Sequence, residues 1–571
     1  ICACLVGSEM CIRDSYKGLS ITGMFSFDTY NYTSNRFTKS PNTYHATGRD
    51  ANGNLIYEQT RQGTENLAYS LSAKGDRTIY LEAALNYKNT FGRHDVSGML
   101  LFNQSDEINT KATNVEEALP YRFRGLAGRF TYGFDDRYFA EFNFGYNGSE
   151  NFTPKNRYGF FPSVGLGWVI SNESFFEPLT NVIQYLKVRG TWGQVGNSQI
   201  SGRRFAYLAT VTDSSSTSYT FGKNMDQNYG TTAIDEYAVD VTWEVADKTD
   251  IGVDMRLLNN KLNLQFDYFK ESREGIYLRR SSIPSYVGMI NNPYGNIGKV
   301  ENKGFELSVN YANSWGGDWS LSLMGNYSFN RNKVLEDDST VVYPWQNTIG
   351  NKVGQRFGLV ALGLFESYGE IAASPVQTGD TRPGDIKYKD INGDGKIDEY
   401  DKVPIGWGSV PEIMYGFGFS VGWKNLSLTA MFQGAAHVDA MLSGEGVLPF
   451  SQGSSRGNLL SNITDRWTEE NPRQNAFYPR LSIGNINMNY EESTWWLKDT
   501  DYLRLKNIEL SYRLPDHWMK RIHLDNARIF IQGVNLLTFS SFKIWDVELG
   551  DGRGARYPNI ASVSLGVNFN F

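Results

Sequence analysis

The last eleven residues, "ASVSLGVNFNF", alternate without a break. Ala561, Val563, Leu565, Val567, Phe569 and Phe571 fall on one face of an extended chain, and Ser562, Ser564, Gly566, Asn568 and Asn570 on the other. Successive strand side chains point to opposite faces, so a period of two predicts a β-strand with one apolar side. "GFELSVNY" repeats the pattern with Phe305, Leu307, Val309 and Tyr311, and "WSLSLMGNYSF" with Trp319, Leu321, Leu323, Tyr327 and Phe329. "LNLQFDYF" does so with Leu262, Leu264, Phe266 and Tyr268. One such segment would suit a soluble sandwich equally well. Marked along the chain, however, the pattern gives roughly sixteen strands of about ten to fourteen residues, the length a tilted membrane-crossing strand needs. The first eight span 19–29, 75–87, 95–104, 122–134, 138–149, 160–170, 184–194 and 246–258. The rest span 262–273, 300–311, 318–330, 412–423, 425–436, 500–513, 526–536 and 560–571.

Connections at 88–94, 135–137, 171–183, 259–261, 312–317, 424 and 514–525 are short, whereas 30–74, 195–245, 331–411 and 437–499 are long. Alternation of short and long is the signature of a transmembrane barrel with periplasmic turns and extracellular loops. The long connection 537–559 precedes the last strand, so Phe571 is expected in the periplasm, and by parity the N-terminus too. "RFGLVALGLF" (356–365) reads as a strand, but one crossing there would break the alternation, so it is assigned to the outer loop 331–411.

Composition agrees. Aromatic residues make up 14% of the 571 and glycine contributes 57, with no Pro- or Ser-rich linker to divide the chain. Mean hydropathy is −0.43 and no run of about 18 apolar residues occurs, which excludes a helical span but not a barrel, whose strands show lipid only every second residue. A net charge of −7 gives no basic footprint for nucleic acid. The three cysteines, Cys2, Cys4 and Cys11, fall in "ICACLVGSEMCIRDS"; their absence elsewhere suits an oxidising compartment. That opening has no start Met, basic region or small-residue cleavage site, so residues 1–15 are expected to be a translated scar and are set aside from the fold.

"DINGDGKIDEYD" carries oxygen-bearing side chains at calcium-loop spacing, with Gly395 at the sixth position. Asp390, Asn392, Asp394 and Asp401 would ligate through side chains, Lys396 through its carbonyl, and Asp398 directly or through water. Asp401 stands where Glu is usual, so bidentate closure is shorter of reach. No amphipathic helix flanks the loop, which argues for architecture rather than sensing. An ion there would neutralise crowded carboxylates and brace a long loop lacking a core of its own.

Catalytic chemistry is not evident. "GFSVG" (418–422) matches a nucleophile-elbow pattern, but Ser420 lies mid-strand and the motif needs a strand-to-helix turn. His45, His94, His437, His517 and His523 have no zinc-type spacing. The loop aromatics Tyr343, Trp345, Trp407, Phe450, Trp467, Phe477, Tyr478, Trp495 and Trp496 admit two readings. They pack within the loops or at the membrane interface, or they form a stacking surface for sugars or a partner lid.

"WEVADKTDIGVDMRLLNNKLNLQFDYF" (243–269), "NPYGNIGKVENKGFELSVNY" (292–311) and "PGDIKYKDINGDGKIDEYDKVPIGW" (383–407) resemble the SusC/RagA family of TonB-dependent outer-membrane transporters. So do "YLRLKNIELSYRLP" (502–515) and "GVNLLTFSSFKIWDVE" (533–548), and the resemblance spans 16–571. It implies an all-β, antiparallel transmembrane β-barrel of 22 strands with an N-terminal plug, paired with a SusD-like surface lipoprotein. Such proteins import oligosaccharides or peptides across the outer membrane of Bacteroidota-like bacteria, driven by the TonB complex. About six strands, the plug, the TonB box and a signal peptide are missing from this sequence, so it is expected to be the C-terminal barrel portion. Unpaired edges in hydrocarbon are costly, so that portion alone is not expected to be a competent transporter; closed, heat-modifiable barrels in a folding assay would refute this. The rival readings are a passive porin, a calcium-stabilised surface adhesin and, last, a membrane hydrolase.

Overall fold

A computed structural model describes residues 4–16, 18–112, 115–200, 204–450, 459–484, 486–521 and 524–570. Phe571 and His523 lie outside them. The long strands are β1 Cys4–Tyr16, β2 Leu19–Thr38, β3 Ala68–Phe91, β4 His94–Asn109, β5 Tyr121–Phe134, β6 Tyr138–Ser149, β7 Tyr158–Val169, β8 Ile183–Asn197 and β9 Glu244–Leu257. They continue with β10 Leu262–Arg279, β11 Tyr294–Trp315, β12 Trp319–Glu336, β13 Ile413–Trp423, β14 Leu426–Ala436, β15 Tyr502–Arg513, β16 Asn526–Ser540 and β17 Ser562–Asn570. All sixteen strands read from the alternation are present. Among the described residues no helix is long and apolar enough to cross a membrane.

The chain falls into two compact units. The first comprises Ile1–Tyr132, Glu141–Pro162 and Ser198–Tyr207. In it β1 pairs antiparallel with β2, β2 with β3 and β3 with β4. By composition residues 1–15 read as a scar outside the fold, yet the backbone of Cys4–Tyr16 joins the sheet, from Cys4 opposite Thr29 to Tyr16 opposite Leu19. A ladder is made by main-chain groups, which any non-proline sequence supplies.

The second unit comprises Gly133–Ala140, Ser163–Asn197 and Leu208–Phe571. Here β8 pairs with β9, and neighbours follow in chain order through β10 to β17, all antiparallel. One cross-strand row reads Leu264, Val309, Gly325, Phe417, Phe432, Leu505 and Leu537. Phe266, Leu307, Leu323, Phe417, Leu428, Leu510 and Ile531 on this face are exposed. The opposite face carries Asp267, Ser308, Asn326, Ser420, Thr429, Glu509 and Gln532. An apolar surface this continuous cannot rest in water and requires lipid or a partner to cover it.

The strands outrun their expected boundaries on the side of the long connections: β10 reaches Arg279, β11 begins at Tyr294 and β2 reaches Thr38. Apolar alternation stops where the strand leaves hydrocarbon, but main-chain pairing does not, as Glu274 opposite Lys299 illustrates. The expected loop 30–74 accordingly shrinks, and within it Thr43–Arg49 pairs with Leu55–Arg61. Short turns use positive φ where they must: Asp135 (53°) and Asp136 (51°) join β5 to β6, matching the twist of tight hairpins.

Gly304 is fixed by close approach. A Cβ there would run into the carbonyl oxygen of Phe329 on the neighbouring strand. Gly304→Ala is therefore expected to cost about 1–3 kcal/mol, as overpacking does, read as a lowered thermal midpoint in detergent.

Candidate functional site

The outer connections of the second unit are not separate loops. Leu359, Leu364, Ile386, Tyr388, Met441, Trp467, Tyr478, Trp496, Phe542 and Val547, drawn from three connections, form one buried core. The expectation that the loop around Asp390–Asp401 lacks a core is thus overturned: Ile397, inside that stretch, is 1% exposed and belongs to the cluster. "RFGLVALGLF" sits here, as assigned, and does not cross. Arg356–Gly358 pairs with Val403–Ile405, and Ala361–Leu364 with Ile386–Tyr388.

Buried charge ties the core together. Asp385, 1% exposed, accepts two hydrogen bonds from Arg480, both at 2.9 Å, and further ones from Asn487 (3.2 Å) and Asn489 (2.9 Å). Asp439 takes Arg356 and the amides of Trp407 and Gly408, while burial pushes its carboxyl above the usual range. Arg356 also reaches Asp551 at 2.6 Å. Arg504, almost fully buried, binds Asp546 at 2.6 Å and Glu548 at 3.0 Å, strapping 546–548 to β15. None of these partnerships has a sequence spacing that would reveal it.

The calcium-type loop folds as consecutive Asx turns. Asp390 accepts from the amides of Gly393 (2.6 Å) and Gly395 (2.9 Å), Asn392 from Asp394, and Asp394 from Lys396. Buried Asp401 closes the loop by accepting from Ile391 (2.7 Å) and Asp398 (2.9 Å). Gly393 and Gly395 take φ of 76° and 81°, which only glycine adopts freely. The carboxylate of Asp398 turns to the amide of Tyr400 and the carbonyl of Lys396 belongs to a short strand, Lys396–Ile397, beside Val376–Gln377. Among the described residues, no three His, Cys, Asp or Glu side chains gather as a metal cluster. The donors are hard oxygens, and each carboxylate oxygen bonded to one amide retains a second lone pair.

Of the loop aromatics, Trp467, Tyr478 and Trp496 are buried in the core and Phe477 and Trp495 pack against it. Tyr343 stacks on Trp345 at 4.6 Å. Packing therefore accounts for most of them. Trp407 differs: it is 42% exposed and stacks on His437 at 3.9 Å. His94 bonds Tyr132, His45 lies in Thr43–Arg49 and His517 in the short helix Asp516–Arg521. Ser420 pairs with Thr429 across the strands at 2.9 Å, with no helix following it. A cavity of about 390 Å³ opens beneath the loops against the polar sheet face, lined by Asn326, Met414, Gln433, Asp439, Tyr502 and Glu548 among others.

Residues 13–536 match the family described as TonB dependent receptor-like, beta-barrel. The chain belongs to that family. Its fold is accordingly that of an outer-membrane antiparallel β-barrel, and the exposed apolar face is the lipid-facing one. TonB-dependent receptor P3 of Formosa agariphila is 27% identical, the match covering 97% of this chain and 54% of the relative. TonB-dependent receptor SusC of Bacteroides thetaiotaomicron is 27% identical over 78% of this chain and 43% of its own. A solved structure of the RagAB peptide transporter superposes with a TM-score of 0.71 at 20% identity, covering 98% of this chain and 61% of that one. The SusC/RagA resemblance read from the sequence is met by both comparisons. The chain spans about half the length of the curated relatives it matches.

Proposed function

We propose that this receptor-family chain supplies barrel wall and outer loops to a TonB-dependent importer of oligosaccharides or peptides, working with a SusD-like surface lipoprotein. The observation that carries the reading is a sheet with one lipid-type face and one polar face, topped by loops that share a core. Such a rigid cap can hold a ligand-binding surface above a lumen, as loosely tethered loops cannot. Asn326, Gln433, Tyr502 and Glu548 around the cavity offer both donors and acceptors for hydroxyls or peptide groups. Relatives are named as receptors and transporters, which favours transfer over catalysis.

Deleting the gene, and separately the energising TonB complex, tests this. Uptake of labelled oligosaccharide or peptide should fall in both strains. Uptake persisting without TonB would instead support a passive porin, and protein released by carbonate washing would support an adhesin.

Calcium in the Asp390–Asp401 loop is proposed as a structural ion, held by Asp390, Asn392, Asp394, Asp398, Asp401 and the Lys396 carbonyl. It would offset their mutual repulsion and stiffen the edge of the loop core. Calcium added to chelator-treated protein is expected to raise the melting midpoint, and Asp390→Asn with Asp401→Asn to abolish the rise. No shift in either protein would show the loop to be metal-free.

A further inference from the structure

The register of β10, β11 and β12 puts three aromatic residues in one row on the lipid-facing side: Tyr268 opposite Phe305, and Phe305 opposite Phe329. Two residues further out, on the same face, Lys270 lies opposite Lys303 and Lys303 opposite Arg331. Like charges directly across a ladder destabilise a sheet, so three cations in a row need a compensating anion. All three side chains are about half exposed.

The protein provides part of that compensation. Glu301 reaches Lys270 at 2.8 Å and Lys303 at 3.4 Å. Glu412 reaches Arg331 at 2.7 Å and is shared with Lys352 and His437, both at 3.2 Å. Exposed Lys333 stands opposite Glu301 in the next row. Among the described residues, Lys270 and Lys303 share Glu301, beside which Lys333 also stands, and Arg331 shares Glu412 with the mostly buried Lys352. Cations thus outnumber carboxylates along this row, on a chain whose net charge is −7. Beyond this belt the sign reverses, with Glu274 and Glu336 flanking Lys299.

Position identifies the anion. Two residues of strand advance about 7 Å, which carries the chain outward from an aromatic row, of the kind that sits at the membrane interface, toward the headgroup layer. Arginine and lysine are the side chains that hold phosphate there, one as a fork and the other as a point charge. We propose that the Lys270–Lys303–Arg331 row binds the phosphate groups of an outer-leaflet lipid, fixing this sector of the wall in the bilayer. The proposal rests on outer-membrane placement and is independent of what is transported.

The test uses protein extracted from outer membranes, delipidated in detergent, with diphosphoryl lipid A as the probe and native mass spectrometry as the readout. The variant K270Q/K303Q/R331Q is expected to bind about tenfold more weakly or worse, since it removes three charge-assisted contacts. The charge-conserving K270R/K303R/R331K should bind as the original does. The Gln variant should keep a cooperative melting transition in lipid-free detergent, because Lys352 and His437 remain beside Glu412. Undiminished binding by the Gln variant, or equal binding of the same lipid stripped of phosphate, overturns the proposal. So does inorganic phosphate that competes as well as the lipid.

Discussion

Arg480→Ala is expected to destabilise the outer-loop core by about 3–5 kcal/mol, the cost of stranding one member of a buried ion pair. Asp385 is nearly inaccessible and both its oxygens are committed, one to Arg480 Nε and one to Arg480 Nη2. The same carboxylate accepts from Asn487 and Asn489 and from the amide of Arg382, so losing the guanidinium leaves a charge satisfied only by neutral donors. Hydrogen exchange at the amides of Ile386 and Asn489 should accelerate accordingly, while the amides of β10–β12 stay protected. The double variant Asp385→Asn with Arg480→Met should recover part of the loss, because the stranded charge is gone. If the single variant exchanges like the original, the pair does not hold the core.

Trp496→Ala should have a comparable effect through a different cause. The indole is 1% exposed, packs near Phe477 and Tyr478, and donates from Nε1 to the carbonyl of Asn489 at 2.7 Å. Removing it leaves a cavity in a core built from three connections, for which about 3–5 kcal/mol is typical. Its backbone carbonyl also accepts from Leu442, so collapse around the cavity would disturb the neighbouring connection. Limited proteolysis should cut the variant within 437–499 at protease levels that spare the original. Trp496→Phe keeps most of the volume and loses the hydrogen bond, and should cost about 1 kcal/mol. Equal resistance of all three proteins would mean that the connections are held by something other than this core.

How far the sequence reveals the molecule depends on what each feature needs. Strand identity needs only a local period of two, and residues such as Phe305, Leu307 and Val309 display it within a few positions. Strand length depends on main-chain pairing, which continues past the apolar stretch, so β10 and β11 run beyond their expected limits. The loop core joins Leu359, Trp496 and Val547, residues far apart in the chain with no repeating interval, and no pattern announces it. The calcium-type loop was legible as a motif because its turns are local, and its Asx bonds run between residues two to five positions apart, with Asp401 closing from further along. The cation row could not be read at all. Lys270, Lys303 and Arg331 look like ordinary polar positions until the register sets them side by side.

Alternate residues of these strands meet hydrocarbon, and spin labels read this directly. Single cysteines at Leu307, Ser308, Val309 and Asn310, in a background lacking Cys2, Cys4 and Cys11, would carry nitroxide labels in reconstituted bilayers. Labels at Leu307 and Val309 should collide readily with dissolved oxygen and hardly with a water-soluble nickel chelate, with the reverse ranking at Ser308 and Asn310. Four labels with the same ranking, or all four open to the chelate, would contradict a lipid-facing side and with it the membrane-spanning account.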